Sequence, residues 1–457
     1  FIIRFLKFTF GLSNSPNMLL VYTHKITPRL TYTFRHIFVR ILKIEVNFTT
    51  KIEEFIAHEG LKLSYTKQPL GSELFIRCSE LLFTQGIDYR DINVVSWDEV
   101  PCFFQTNFSA EVPCDLFAAS FYLISRYEEY LPHVKDQFER FPASESLAYQ
   151  HKFLDKPMID IWAYKFRDLL LSHFEGFKEE LHNKKRKFNY ISTIDIDNAY
   201  QFKHKGFTRS VGGILKDLSQ FNIRNVWLRF MVVFGIRRDP FDMYKRLLLM
   251  KKKYGVKTIF FFLLGDYSTF DKNISPGNTN YKLLIKNIAD YAEVGIHPSY
   301  FSMKNELKTK KEKGILQSIV NFPITRSRQH YLRIELPETY QNLVDLEIKE
   351  EYSMGYASHY GFRASTCTPF YFYDLDFEIQ TPLKVFPFAA MDATLNDYLN
   401  FTPKRAFNTI LKLAKEVKKV DGTLITIFHN ESVSGSGRWR GWGRLYESLL
   451  IELNKVL

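Results

Sequence analysis

No stretch of this chain is both long and apolar enough to cross a bilayer. The run Trp227–Ile236 is broken by Arg229, and the opening run Phe1–Phe10 by Arg4 and Lys7. Both fall short of the ~20 residues that a spanning helix requires. No small-residue cleavage site follows the opening run, so no secretion signal is expected and the protein is read as cytoplasmic. Met18, just ahead of the strand-like Leu19–Tyr22, is the expected start of the natural product. Cysteine is scarce: Cys78, Cys102, Cys114 and Cys367 are too few and too scattered for a disulfide framework or a zinc knuckle. They fit a reducing compartment, although the spacing also permits one Cys102–Cys114 bridge. Internal repeats, low-complexity tracts and nucleic-acid recognition motifs are absent. The net charge of +12 and pI near 9.2 come from scattered short runs such as Lys184–Lys187, Lys251–Lys253 and Lys308–Lys313. They imply general attraction to anionic surfaces or substrates and no nucleic-acid partner.

What is present fits a globular protein of two domains. At 457 residues the chain exceeds one ordinary core. The 43 Phe and 26 Tyr are read mainly as core, with some free to line a cleft. Residues 18–183 mix short strands (Leu19–Tyr22, Glu73–Cys78, Asn93–Val95) with helices at Pro113–Tyr130 and Ile159–Phe174. His133 and His151 stand alone there and suggest no site. A polar, basic stretch at Glu179–Lys187 marks a boundary. Over 187–457, apolar runs alternate with helical patterns: Phe188–Asp195, Lys257–Leu264, Tyr281–Ala292, Val294–His297, Gly361–Thr366, Lys384–Ala389, Lys404–Val420, Thr423–Phe428 and Gly443–Lys455. That pattern is α/β, with a parallel sheet or barrel.

In such folds the reactive side chains collect at the carboxyl ends of strands. Asp195 and Asp197 close the first run of the second half, His297 the third and His429 the last strand. An Asp-x-Asp pair in extended backbone can hold a divalent cation, or divide into base and ligand; the plainer alternative is an acidic loop or helix cap. His297 follows Gly295, which allows close backbone approach, and precedes Pro298; imidazole there suits zinc. His429 can shuttle a proton near neutral pH, with Asp392 to orient it. Arg363 can grip a carboxylate bidentately, or serve a structural ion pair.

In this order the segments Thr193-Ile-Asp-Ile-Asp197, Gly295-Ile-His297, Tyr360-Gly-Phe-Arg363, Met391-Asp392 and Leu424-Ile-Thr-Ile-Phe-His429 resemble the motifs of the polysaccharide deacetylases, carbohydrate esterase family 4. The resemblance covers roughly 187–457, with an interruption over about 198–256. It implies a distorted (β/α) barrel, a divalent metal with Zn²⁺ the default, and an acetylated saccharide as substrate. It also implies Asp195 as base and Asp197 as metal ligand, with the two exchangeable because a residue is inserted between them. His297 would be a second ligand, Arg363 would hold the base, and Asp392 would support His429. The family's second metal histidine falls at position 301, where this chain has Phe301. His330, in Arg326-Ser-Arg-Gln-His330, is the expected substitute, with Ser302 or water as alternatives. The upstream half resembles an uncharacterised domain found before such deacetylases in some bacterial proteins. Two rival classes stand beside this one: an inactive saccharide-binding homologue, suggested by Phe301, and a glycosyltransferase that uses Asp-x-Asp for a nucleotide sugar.

Overall fold

The computed structural model describes residues 18–106, 111–179 and 186–455; the opening run and part of the polar boundary lie outside them. The chain forms two compact units. The first comprises the described parts of Phe1–Gln85, Asp91–Phe121 and Trp162–Arg186; the second comprises Gly86–Arg90, Tyr122–Ile161 and Lys187–Leu457.

In the first unit, β1 (Leu19–Tyr22), β2 (Val46–Thr49), β3 (Lys62–Thr66) and β4 (Phe75–Arg77) form a parallel sheet in the order β2-β1-β3-β4. β5 (Val95–Trp97) and β6 (Val100–Cys102) make a separate antiparallel pair. The core is aromatic: Phe34 stacks on Phe117 at 4.1 Å between centroids, and Phe38, Tyr65 and Phe166 pack edge-on or tilted around them. All four cysteines are buried and none is in a disulfide, so no Cys102–Cys114 bridge is formed.

The second unit is a nine-stranded sheet. β7 (Asn189–Ile196), β8 (Lys257–Leu263), β9 (Glu293–His297), β10 (Arg326–Ser327) and β11 (Glu350–Glu351) run in parallel. β15 (Thr423–His429) pairs with β7 and β14 (Ala390–Met391) with β15, again in parallel; β13 (Ile379–Val385) continues from β11, and β12 (Phe370–Asp374) pairs with it antiparallel. The order β12-β13-β11-β10-β9-β8-β7-β15-β14 has β12 and β14 at its ends, so these pairings do not show the closed barrel expected from the sequence. Seven of the eight residues of β7 are buried, as expected for a parallel strand covered on both faces. Ile191, Ile259, Phe261, Tyr352, Phe388 and Ile427 form one buried cluster. Gly295 is required by packing: a Cβ there would sit 2.5 Å from the Phe261 ring and 2.9 Å from the Arg326 carbonyl.

Segment 122–161, placed upstream by the sequence, clusters with the second unit because buried polar groups tie it there. Asp160 accepts from Thr366 Oγ1 (2.6 Å) and Cys367 N (3.0 Å). The helix expected over Pro113–Tyr130 breaks at Arg126, which takes left-handed backbone (φ 57°) and turns its guanidinium in toward Glu128 and Glu129. Gly361–Thr366 is not a strand. Its backbone bonds to the 154–159 segment (Phe362 N to Leu154 O, Ile159 N to Ser365 O), and only Gly361 N reaches the lead-in to β14, at the Ala389 carbonyl.

Candidate metal centre

Parallel strands bring the acidic and histidine side chains to one end of the sheet. β7 delivers Asp195 and, one residue beyond its end, Asp197. β9 ends on His297, the turn after β10 carries Arg328 and His330, Asp392 follows β14, and His429 ends β15. His297 Nε2 lies 3.2 Å from Asp197 Oδ1, His330 Nε2 3.6 Å from Asp197 Oδ2, and His429 Nε2 3.5 Å from Asp197 Oδ2. One ligand atom each from Asp197, His297 and His330 falls within 4.8 Å of the others, a set that could hold a metal ion.

Each imidazole has its other nitrogen occupied. His297 Nδ1 is 2.5 Å from the Arg328 carbonyl, His330 Nδ1 2.8 Å from Asp271 Oδ1, and His429 Nδ1 2.7 Å from Asp392 Oδ1. A carbonyl can only accept, so Nδ1 of His297 carries the proton and Nε2 presents a lone pair. Asp271 fixes the His330 ring in the same way, and Asp392 accepts the Nδ1 proton of His429. The buried Oδ1 atoms of Asp195 and Asp197 have no hydrogen-bond partner; Asp197 Oδ1 is close to His297 Nε2 but outside hydrogen-bonding geometry. Buried carboxylate oxygens left unpaired are costly, and here they converge with free imidazole lone pairs. That donor set fits a divalent cation.

The electrostatics agree. Burial alone would raise the Asp197 carboxyl, but His330 and His429 beside it hold it well below the usual range. Burial would lower His330, yet Asp197 and Asp271 push it up to about 9. His429 is likewise raised well above 6.5, with Asp392 and Asp197 overcoming burial. A field that favours an extra proton at these rings also favours a metal cation in its place.

The arginine facing Asp195 is not the one expected. Arg363 donates through Nε and Nη2 to Glu129 (2.8 and 2.6 Å) and so anchors segment 122–161, well occupied by its own ion pair. Arg328, fully buried, instead places Nη1 3.5 Å from Asp195 Oδ2 and Nη2 2.8 Å from Thr193 Oγ1. The sequence also gave no role to Asp271, which steadies His330. Tyr331 and Leu332 take consecutive left-handed conformations (φ 59° and 55°), and Arg140 donates to the Tyr331 carbonyl at 2.9 Å. Phe301 is half exposed, and Ser302 Oγ is bonded to the Ser299 carbonyl. The carboxylates and imidazoles line a cleft of about 290 Å³ with Phe270, Tyr331, Tyr398 and Trp439 as apolar walls and Arg140, Lys272 and Arg438 as cations.

Residues 19–175 match a family described only as being of unknown function. No curated protein matches. Among solved structures, a polysaccharide deacetylase from Bacillus cereus is 12% identical, over 59% of this chain and 89% of that one, with a TM-score of 0.29. The family 4 esterase domain of a multidomain xylanase from the hindgut metagenome of Trinervitermes trinervoides is 13% identical over 60% and 85%, with a TM-score of 0.30. A family 4 pseudoenzyme from Bacillus anthracis is 13% identical over 60% and 62%, with a TM-score of 0.29. Similarity at this level does not carry a functional assignment.

Proposed function

We propose that the second unit is a metal-dependent hydrolase that removes acetyl groups from N-acetylated amino sugars or saccharides. One observation carries the reading: Asp197, His297 and His330 offer ligand atoms within 4.8 Å of one another, beside a second carboxylate whose buried oxygen lacks a partner. Asp197, His297 and His330 would hold the metal, with Zn²⁺ the natural choice for one carboxylate and two imidazoles. When bound, the ion polarises the acetyl carbonyl and makes water acidic enough to attack near neutral pH.

The chain's own groups supply the proton traffic. Asp195 Oδ1 accepts the proton of the attacking water, while Arg328 beside Oδ2 holds the carboxylate in position. His429, fixed through Nδ1 by Asp392, gives its Nε2 proton to the departing amine. The aromatic walls of the cleft stack on sugar faces and exclude water from the reacting carbonyl. Acetate and a free amino sugar result. His330 supplies what Phe301 does not, which weighs against the inactive-homologue reading. A glycosyltransferase reading leaves His429, Asp392 and Asp271 without a task.

Zinc-loaded protein incubated with a panel of N-acetylated saccharides is expected to release acetate and free amine in equal amounts, and Asp195→Asn to release neither. Stoichiometrically loaded protein that releases acetate from none of them refutes the hydrolase reading.

A further inference from the structure

The excursion that interrupts the motif-bearing region is built inside out. It leaves and re-enters the unit at one clasp, where the Asp239 carboxylate accepts the backbone N–H groups of Gln201, Phe202 and Lys203 at 2.8 to 3.1 Å. Between the feet stand two helices, Phe207–Ser219 and Ile223–Val233, the second capped by Asn222. Their mutual contact is polar. Asp217 and Arg229 form a buried ion pair of 2.7 Å, Asn225 donates to Asp217 at 2.7 Å, and a Cβ on Gly213 would sit 2.7 Å from the Arg229 guanidinium.

Val232 is buried, whereas a row of larger apolar side chains on each helix points outward. On the first helix Phe207, Val211, Leu215 and Leu218 recur at helical spacing, exposed by 84, 37, 63 and 48%. On the second, Ile223, Trp227 and Phe230, followed by Phe234 just past its end, continue the stripe at 71, 67, 41 and 74%. A helix in a soluble domain turns such a stripe inward, and a contiguous exposed patch of this kind marks a binding face. The charge around it is mostly of one sign. Residues 203–238 contain Lys203, Lys205, Arg209, Lys216, Arg224, Arg229, Arg237 and Arg238 against Asp217, which is paired with Arg229; at the foot, Asp239 is engaged by backbone N–H groups and Asp242 lies 3.2 Å from Arg238.

We propose that this hairpin docks on an anionic lipid surface, lying in the plane of the interface with its two stripes at the acyl boundary and its lysines and arginines against phosphate headgroups. Trp227 is the residue type that anchors at that depth. A second copy of the chain would present the same cations to the same cations in a self-complementary contact. Helices of 13 and 11 residues are too short to span, and no described helix is long and apolar enough to cross a membrane. The patch begins beside the cleft: Arg209 donates to the carbonyls of Lys272 and Asn273, both at 2.8 Å, and Lys272 lines the cleft.

Flotation of the full chain with phosphatidylcholine vesicles, with and without about a third phosphatidylglycerol, tests this without reference to any hydrolytic activity. Wild-type protein is expected to float with the anionic vesicles and to dissociate as salt rises. Leu215→Ser/Trp227→Ser, at exposed positions, is expected to bind about tenfold more weakly or worse with an unchanged melting temperature. Arg224→Gln/Arg237→Gln/Arg238→Gln is expected to flatten the salt dependence. Failure of wild-type protein to float overturns the proposal, as does undiminished binding by the double variant. A wild-type dimer in gel filtration that the double variant splits, without flotation, assigns the face to a second copy instead.

Discussion

Replacing Glu129 with Gln tests the reassignment of Arg363 most sharply. Glu129 is buried between two arginines, accepting from Arg126 Nε at 2.7 Å and from Arg363 Nε and Nη2 at 2.8 and 2.6 Å. Burial pushes its carboxyl up, but Arg363 and Arg126 outweigh that and hold it at about 2, against an ordinary 4.5. A depression of roughly 2.5 pH units at about 1.36 kcal/mol each is on the order of 3 kcal/mol. Removing one partner of a buried pair costs about 3–5 kcal/mol, the same range. Because the folded value lies below the unfolded one, this contribution is fully present above about 4.5 and is lost as pH falls toward about 2. Urea unfolding of wild type and Glu129→Gln is therefore expected to show a gap on the order of 3 kcal/mol at pH 7, unchanged at pH 6 and narrowing only in acid. Coincident unfolding curves at pH 7 would refute the assignment of Arg363 to an anchoring pair. Lost activity at full stability would return it to the catalytic base.

Other outcomes follow from the site. Asp271→Asn removes the carboxylate that fixes His330 and is expected to weaken zinc roughly 10- to 100-fold, measured by competition with a chelator. Asp195→Asn should bind zinc as wild type does while kcat for deacetylation falls roughly 100- to 10,000-fold; loss of zinc in this variant would make Asp195 a ligand. Asp392→Asn is expected to lower kcat more than it changes KM, because it disorients the His429 donor without touching the cleft walls. Saturation with zinc at about 1,000 times its dissociation constant should stabilise the protein by about 4 kcal/mol, and chelation should remove that gain in a thermal melt.

Much of the site was legible because strand ends are legible. Buried apolar runs bounded by polar residues located β7, β9 and β15, and Asp195, Asp197, His297 and His429 fell at or beside their carboxyl ends. His330 was reachable as the spare histidine once Phe301 stood in the expected place. Asp271 was not, because it sits in a loop 59 residues from the ring it holds and nothing local marks it. Arg328 and Arg363 illustrate the limit of linear spacing. Arg328 follows the polar Thr325-Arg326-Ser327 and Arg363 the aromatic Tyr360-Gly361-Phe362, and only the packing of segment 122–161, with Glu129 on it, decides which guanidinium is occupied elsewhere. The hairpin was misleading for a related reason. Arg229 looked like an interruption of an apolar run, whereas it turns inward to Asp217 and leaves the apolar residues outside.

Metal analysis of wild type and His330→Ala after zinc loading and desalting bears most directly on the central claim. Stoichiometric zinc in the wild type, lost in His330→Ala and retained in Phe301→Ala, is the result expected if His330 completes the centre. Metal-free wild type, or a His330→Ala variant that keeps its zinc, would contradict it.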